Sequence, residues 1–160
     1  MSGAGVLIIG SGAAGISAAE AYWDAGGHCD VSVVTAEESE PYFRPSLSED
    51  SLHGLTHASA AGMRPKQWFS ERVIDLIHGD TVISLDVRSQ CAETSEGRRI
   101  VYSRLILACG AEPKRLSVPG GNDVAYLRSL RDAESVRRAA IEAESAIVIG
   151  AGFIGCEAAV

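Results

Sequence analysis

Short apolar runs separated by turn residues recur along the chain and predict buried strands with helices between them. The first run, Gly5–Ile9, is followed by the alanine-rich segment Ile16–Ala25, which is polar on one side, and then by the β-branched run Val31–Val34. Runs of this length predict buried strands, and the segment between them predicts a helix that ends at Gly26-Gly27. Strand, helix and strand within about 30 residues predict a βαβ unit with parallel strands and a right-handed crossover.

Further short strands and helices are predicted downstream of this unit. Pro65 fits the first turn of a helix over residues 65–72, and Leu130–Ala143 repeats apolar residues at helical spacing. Apolar or β-branched runs predict strands at Val73–Ile77, Thr81–Val87, Gln90–Thr94, Arg98–Tyr102, Leu105–Ala108, Val124–Leu127 and Ala146–Ile149. The predicted fold class is α/β, with a parallel sheet and an antiparallel β-meander.

A glycine-rich turn, GSGAAG, joins the first predicted strand to the first predicted helix. The first glycine would allow the tight turn, the second the close approach of a pyrophosphate, and the third close packing of the helix on the strand. Free amides at the helix N-terminus favour a phosphate. We therefore predict a dinucleotide site, the alternative being a glycine-rich turn kept for packing. Its candidate residues are Gly10, Ser11, Gly12, Ala13, Ala14 and Gly15.

An acidic residue is expected after the second strand, where it could accept a hydrogen bond from a ribose 2′-OH. Glu37 lies 22 residues after Gly15, which is close to the usual ~20. The adjacent Glu38 could substitute for it. The alternative is that both belong to a solvated acidic loop. The same strand–glycine–helix pattern returns 140 residues after the first, as IVIGAGFIGCEAAV at residues 147–160, and predicts a second dinucleotide site.

Charge and composition exclude several functions. The net charge is −7 and basic residues do not cluster, which argues against nucleic acid. No apolar run approaches the ~18 residues of a membrane span, and no secretory signal is evident, so we expect a soluble, cytoplasmic protein. Four widely spaced cysteines disfavour zinc and a local redox disulfide. His53 and His57 have i,i+4 spacing but no third ligand nearby, so no metal site is predicted.

Four motifs follow one another in a familiar order: GSGAAG, TAEESEPYFRPSLS, LILACGAEPKRL and GAGFIGCE. With them the chain resembles the N-terminal part of an FAD-dependent pyridine nucleotide-disulfide oxidoreductase, most of all the rubredoxin and ferredoxin reductase branch. The resemblance implies a Rossmann-like FAD-binding domain over residues 1–118 and the start of a Rossmann-like NAD(P)H-binding domain over residues 119–160. It also implies that the chain is part of a longer polypeptide.

The resemblance assigns FAD to Gly10–Gly15 and its adenosine ribose to Glu37. Arg44 matches a basic FAD contact, and Val82 matches a position whose backbone meets the adenine. The triplet Ala108, Cys109 and Gly110 matches the family's A-T-G, which lies against the FAD. Because Cys109 replaces the usual threonine, backbone contacts are expected to survive, whereas a side-chain contact is not assured.

The second glycine motif would hold the nicotinamide cofactor. Its candidate residues are Gly150, Gly152, Phe153, Ile154, Gly155 and Glu157. Relatives pair a lysine near flavin N5 with the glutamate that corresponds to Glu157. In this chain the lysine position is Glu49, so either two carboxylates meet there or Glu49 points to solvent.

The function implied is electron transfer from NAD(P)H through FAD to a small iron–sulfur or rubredoxin-type protein. Residues 40–54 contain no cysteine, so thiol chemistry at the flavin is not expected, and no catalytic side chain is predicted. The alternatives are a flavin-binding sensor or scaffold resembling apoptosis-inducing factor, and the electron-input module of a nitrite-reductase-type enzyme. The isolated chain is expected to bind FAD weakly or not at all. Its apolar C-terminal segment is expected to favour association, including homo-oligomers.

Overall fold

A computed structural model describes residues 2–48, 52, 54 and 62–159 of the chain. They form two compact units, one of Met1–Tyr42 with Gly62–Gly110, the other of Phe43–Ala61 with Ala111–Val160. The predicted domain boundary between residues 118 and 119 remains a prediction.

The first unit is built around a six-stranded sheet in the order β3-β2-β1-β6-β5-β4. Strands β1, β2, β3 and β6 pair in parallel, whereas β4–β5 and β5–β6 are antiparallel. The predicted α/β fold, with a parallel sheet and a β-meander, is thereby confirmed. Its elements are β1 (Ser2–Ile9), α1 (Ala13–Asp24), β2 (Val31–Val34), α2 (Lys66–Glu71), β3 (Ile74–Ile77), β4 (Val82–Asp86), β5 (Cys91–Thr94) and β6 (Arg99–Leu107).

The central strand β1 is buried on both faces, as expected of a parallel strand. Because successive side chains point to opposite faces, Leu7 and Ile8 enter two different apolar clusters. Ile8 shares its cluster with Ile16 of α1, so this helix covers one face of the sheet. Leu7 shares the other cluster with Ile100 and Tyr102 of β6. The buried position of β1 therefore determines where the glycine-rich turn after it leaves the sheet.

The strand β6 is one continuous element, although two shorter strands, Arg98–Tyr102 and Leu105–Ala108, were expected. Ser103 and Arg104, between the two predicted strands, are exposed polar residues. The backbone ladder with β1 nevertheless runs through them, since Val6 pairs with Arg104. A strand is held by its hydrogen-bonded neighbour, and a polar side chain at an exposed position does not interrupt it.

The second unit contains α3 (Leu130–Glu142) and α4 (Phe153–Ala158). Ser129 and Asp132 form a capping box at the start of α3. The strands predicted at Val124–Leu127 and Ala146–Ile149 are wrong: neither segment is a strand in the structure. Within the described ranges of the chain, neither segment pairs with a neighbouring strand. An apolar run does not form a strand without a partner for its backbone hydrogen bonds.

Candidate functional site

The carboxyl ends of β1, β2 and β6 lie at the same edge of the sheet. Strand β1 connects through α1 to β2 on one side, while β6 pairs with its other side, so the chain order reverses there. In parallel α/β sheets such a switch point is the usual place for a nucleotide. The Gly10 amide donates to the Val34 carbonyl at 2.8 Å, and the Ala108 amide donates to the Ile9 carbonyl at 2.8 Å. These bonds join the loops that leave the three strands.

Two glycines of the first turn are required by the fold itself. Gly10 has φ +108°, and a Cβ there would overlap the Ala108 carbonyl oxygen. A Cβ on Gly15 would overlap the Gly10 carbonyl oxygen and come within 3.4 Å of the Ile8 side chain. Gly12 differs from both, since its backbone (φ −70°, ψ −176°) is extended and open to any residue. The conformation of the turn therefore does not require a glycine at position 12, and the close approach of a ligand there remains a prediction.

The N-terminus of α1 presents unused amides at this edge. Gly12, its N-cap residue, has no side chain to cap the helix, and the first helical bond runs from Ile16 N to Gly12 O at 3.0 Å. Across the part of the chain that the structure describes, the amides of Ala13, Ala14 and Gly15 make no hydrogen bond. Ala13 and Ala14 are exposed. Amides in this position, together with the positive end of the helix dipole, fit a diphosphate.

Glu37, just beyond β2, is held at its backbone and its side chain. Its amide donates to Thr35 Oγ1 at 3.2 Å, and its carbonyl accepts from the Gly79 amide at 3.2 Å. Its carboxylate oxygen Oε2 accepts from the hydroxyl of Tyr42 at 2.5 Å. Glu38, the alternative acid, is exposed. The structure thus gives the carboxylate of Glu37 a defined orientation at the carboxyl end of β2.

Asp80 supports the loop beside Glu37, and sequence reasoning missed it. The carboxyl group is buried, with 1% of the residue exposed, and accepts from the Ser95 hydroxyl at 3.1 Å and the Glu96 amide at 3.2 Å. Burial alone would raise its pKa, but hydrogen bonds from Thr94, Glu96 and Ser95 outweigh burial and lower the pKa below 3.8. The Asp80 amide donates to the Thr35 carbonyl at 3.1 Å, which links this carboxylate to the turn that carries Glu37.

The other FAD contacts implied for the first unit lie on β4 and just after β6. Val82 begins β4, pairs with Thr94 and is followed by a register shift. Ala108 is partly buried and packs against the apolar cluster that contains Ile16 of α1. Cys109 has an exposed free thiol, and Gly110 has φ +70°. Ala108, Cys109 and Gly110 therefore follow β6 at the edge where the glycine turn also lies. Their contacts with a cofactor remain predictions.

Three residues singled out in the sequence, Glu49, His53 and His57, lie outside the described residues.

Arg44 belongs to the second unit. It donates from Nη1 to the Arg128 carbonyl oxygen at 2.8 Å. This bond connects the YFRPSLS segment to the start of α3 within the second unit. The FAD contact of Arg44 stays a prediction.

The second glycine motif repeats the geometry of the first. Gly150 has φ +119°, and a Cβ on Gly155 would overlap the Gly150 carbonyl oxygen. Gly152 caps α4 with φ −80°, and a Cβ there would meet nothing within 4 Å. Neither backbone strain nor packing in the described structure therefore requires a glycine at position 152. The side chains of Phe153 and Ile154 are exposed, and Glu157 is partly buried.

Metal-binding clusters and membrane-spanning helices are not found among the described residues. In the described ranges, no three His, Cys, Asp or Glu side chains are grouped so that they could hold a metal ion. None of the helices described here has the length and apolar character needed to cross a membrane.

The fold agrees with comparisons to known proteins. The sequence model described as pyridine nucleotide-disulphide oxidoreductase matches residues 4–160. The chain belongs to this family. As a member of it, the chain is 40% identical to rhodocoxin reductase of Rhodococcus erythropolis over 156 residues, which is 96% of this chain and 36% of that protein.

Two more relatives carry names that state their partners. The chain is 34% identical to the rubredoxin-NAD(+) reductase of Pseudomonas putida, and the match covers 96% of the chain and 40% of that protein. The crystal structure of the ferredoxin reductase for the CYP199A2 system from Rhodopseudomonas palustris superposes with a TM-score of 0.91 at 35% identity. That match covers 96% of this chain and 38% of the other. The chain thus spans well under half the length of these relatives.

Proposed function

We propose that the chain supplies the FAD-binding region of a flavoprotein reductase that passes electrons from NAD(P)H to a small one-electron carrier protein. The observation that carries this proposal is the set of unused amides on Ala13, Ala14 and Gly15 after the Gly10 turn, together with the oriented carboxylate of Glu37 just beyond β2. A dinucleotide needs donors for its diphosphate and an acceptor for its ribose, and this edge of the sheet offers both.

Each glycine motif would hold one cofactor. The amides after Gly12 would bind the FAD diphosphate, Glu37 its adenosine ribose, and the backbone of residues 108–110 would lie along it. The amides after Gly152 would bind the diphosphate of NAD(P)H, with the boundary between the two domains near residues 118–119. When bound, FAD supplies the chemistry, accepting a hydride and releasing electrons singly. The protein's own residues bind and orient it.

The acceptor we propose is a rubredoxin or a ferredoxin-type iron–sulfur protein. This choice rests on the relatives named for rubredoxin and for ferredoxin reduction, at 34% and 35% identity. In the first unit Cys29, Cys91 and Cys109 are free thiols, and none of them forms a disulfide.

Valine substitutions at the second glycine of each motif test which motif binds which cofactor. They are made in the longest polypeptide that contains the chain. Position 12 has backbone angles that valine can adopt, and so does position 152, so neither substitution strains the backbone. Gly12→Val should reduce the flavin content of the purified protein at least tenfold, because the side chain would occupy the diphosphate position. Gly152→Val should leave flavin content unchanged and raise KM for NADH at least tenfold. Circular dichroism checks that both variants fold.

The readouts are flavin absorbance and NADH-driven reduction of rubredoxin and of ferredoxin. A wild-type protein that never contains flavin would contradict the proposed function. Reduction of neither carrier by a flavin-loaded wild type would leave the flavin assignment standing and overturn the proposed acceptor.

A further inference from the structure

We infer that Tyr42 is a positioning residue for the ribose-binding carboxylate, an inference that rests on the proposed function. Its hydroxyl donates to Glu37 Oε2 at 2.5 Å. A short O–H···O bond to a carboxylate is the stronger, charge-assisted kind. Tyr42 would thus hold Glu37 in the orientation in which it accepts from the ribose, without touching the ribose itself.

The main chain at Tyr42 is anchored by contacts that do not involve Glu37. Its backbone forms an antiparallel bridge with Gly62, and the Met63 amide donates to the Pro41 carbonyl at 2.8 Å. The residue is also buried, with only 6% exposed. The fold therefore restrains Tyr42 independently of its bond to Glu37.

The backbone of Glu37 is fixed as well, through its bonds to Thr35 Oγ1 and the Gly79 amide. These bonds act on the main chain of Glu37, whereas the Tyr42 hydroxyl acts on its side chain. A side chain that is ordered only when its ligand arrives reduces affinity. Ordering one such side chain costs about 0.5–1.5 kcal/mol, which corresponds to roughly threefold to tenfold in affinity. Tyr42 removes this cost in advance.

Adenosine diphosphate and its 2′,3′-dideoxy analogue distinguish positioning from simple structural support. ADP carries the ribose hydroxyls that Glu37 would bind, and the analogue lacks them. In the flavin-free form of the longest polypeptide that contains the chain, Tyr42→Phe should weaken ADP binding about threefold to tenfold and leave binding of the dideoxy analogue unchanged. In a Glu37→Ala background the same substitution should have no further effect. Affinities are measured by titration calorimetry, with circular dichroism as the check on folding.

The matched control is Tyr102→Phe. Tyr102 is equally buried, at 5% exposed, and within the described structure its hydroxyl has no hydrogen-bond partner. This substitution removes the same atom from the same sheet unit and should change neither nucleotide's affinity.

The outcomes distinguish positioning of Glu37 by Tyr42 from simple structural support. A Tyr42→Phe variant that binds ADP like the wild type overturns the inference. So does one that weakens the binding of both nucleotides alike, or one that weakens ADP binding by the same factor in the Glu37→Ala background. Should Tyr42→Phe fail to fold, Glu37→Asp shortens the side chain by one methylene group and withdraws the carboxylate from the hydroxyl. Wild-type affinity for ADP in that variant would also overturn the inference. A flavin-free wild-type protein that binds no ADP at millimolar concentration contradicts the proposed function, on which this inference rests, whereas the outcomes above overturn the inference alone.

Discussion

The carbonyl oxygen of Gly10 lies directly against Gly15, so close that a methyl group on Gly15 would overlap it. The same relationship holds between Gly150 and Gly155 in the second motif. This contact closes the turn between the strand and the helix and brings the first helical amides to the end of the sheet. The middle glycines, Gly12 and Gly152, have extended backbones and take no part in this contact.

Gly15→Ala should lower the free energy of unfolding by about 1–3 kcal/mol, the usual cost of overpacking a well-packed contact. The displaced helix would also move its amides away from β1. Denaturant unfolding followed by circular dichroism measures the change. Ser17→Ala, at an exposed position on the same helix, should change stability by less than about 0.5 kcal/mol. Equal stability of Gly15→Ala and wild type would show that the helix does not need this close approach.

Asp80→Asn should destabilise the chain by about 2 kcal/mol, because a buried, charged acceptor of several hydrogen bonds is lost. The pKa of Asp80 is lowered in the folded state, so the folded chain holds this carboxyl proton less tightly than the unfolded chain does. Its contribution is therefore fully present above pH 3.8 and is lost as the pH falls through the lower pKa of the folded state.

Urea unfolding between pH 7 and pH 3 checks this expectation. The difference in unfolding free energy between wild type and Asp80→Asn should be largest near neutral pH and should shrink at the acid end. The control is Asp75→Asn, an exposed position on β3, which should change stability by less than about 0.5 kcal/mol. A difference that grows with acidity would contradict the role assigned to Asp80.

The sequence predicted the parts of the fold that local patterns determine. Val31–Val34 is a strand with the predicted bounds, because an apolar run between turn residues has few alternatives. Ala146–Ile149 is an equally apolar run and is not a strand, because strand formation depends on a neighbour that local sequence does not show. The hydroxyl of Tyr42 and the carboxylate of Asp80 were missed for a similar reason. Each acts through hydrogen bonds whose partners are chosen by the fold.

The C-terminal segment of the second unit should make the 160-residue chain associate. Ile147 and Phe153 are 91% and 89% exposed, and Ile141 and Ile149 are exposed as well. Neighbouring exposed apolar side chains favour association, whereas scattered single ones are ordinary. Sedimentation should show a mass that rises with concentration, and the double variant Ile147→Ser, Phe153→Ser should reduce this rise. Ile83→Ser, at an exposed residue of β4, serves as the control. A wild-type chain that remains monomeric at all concentrations contradicts the prediction.

The central claim is that the first amides of α1 receive a diphosphate, and a nuclear magnetic resonance titration of the chain with ADP tests it most directly. Because the method detects weak binding, it does not depend on tight association with the whole cofactor. The account predicts that the largest shifts fall on the amides of Ala13, Ala14 and Gly15, with smaller ones at Glu37. Saturable binding that leaves these amides unmoved would contradict it.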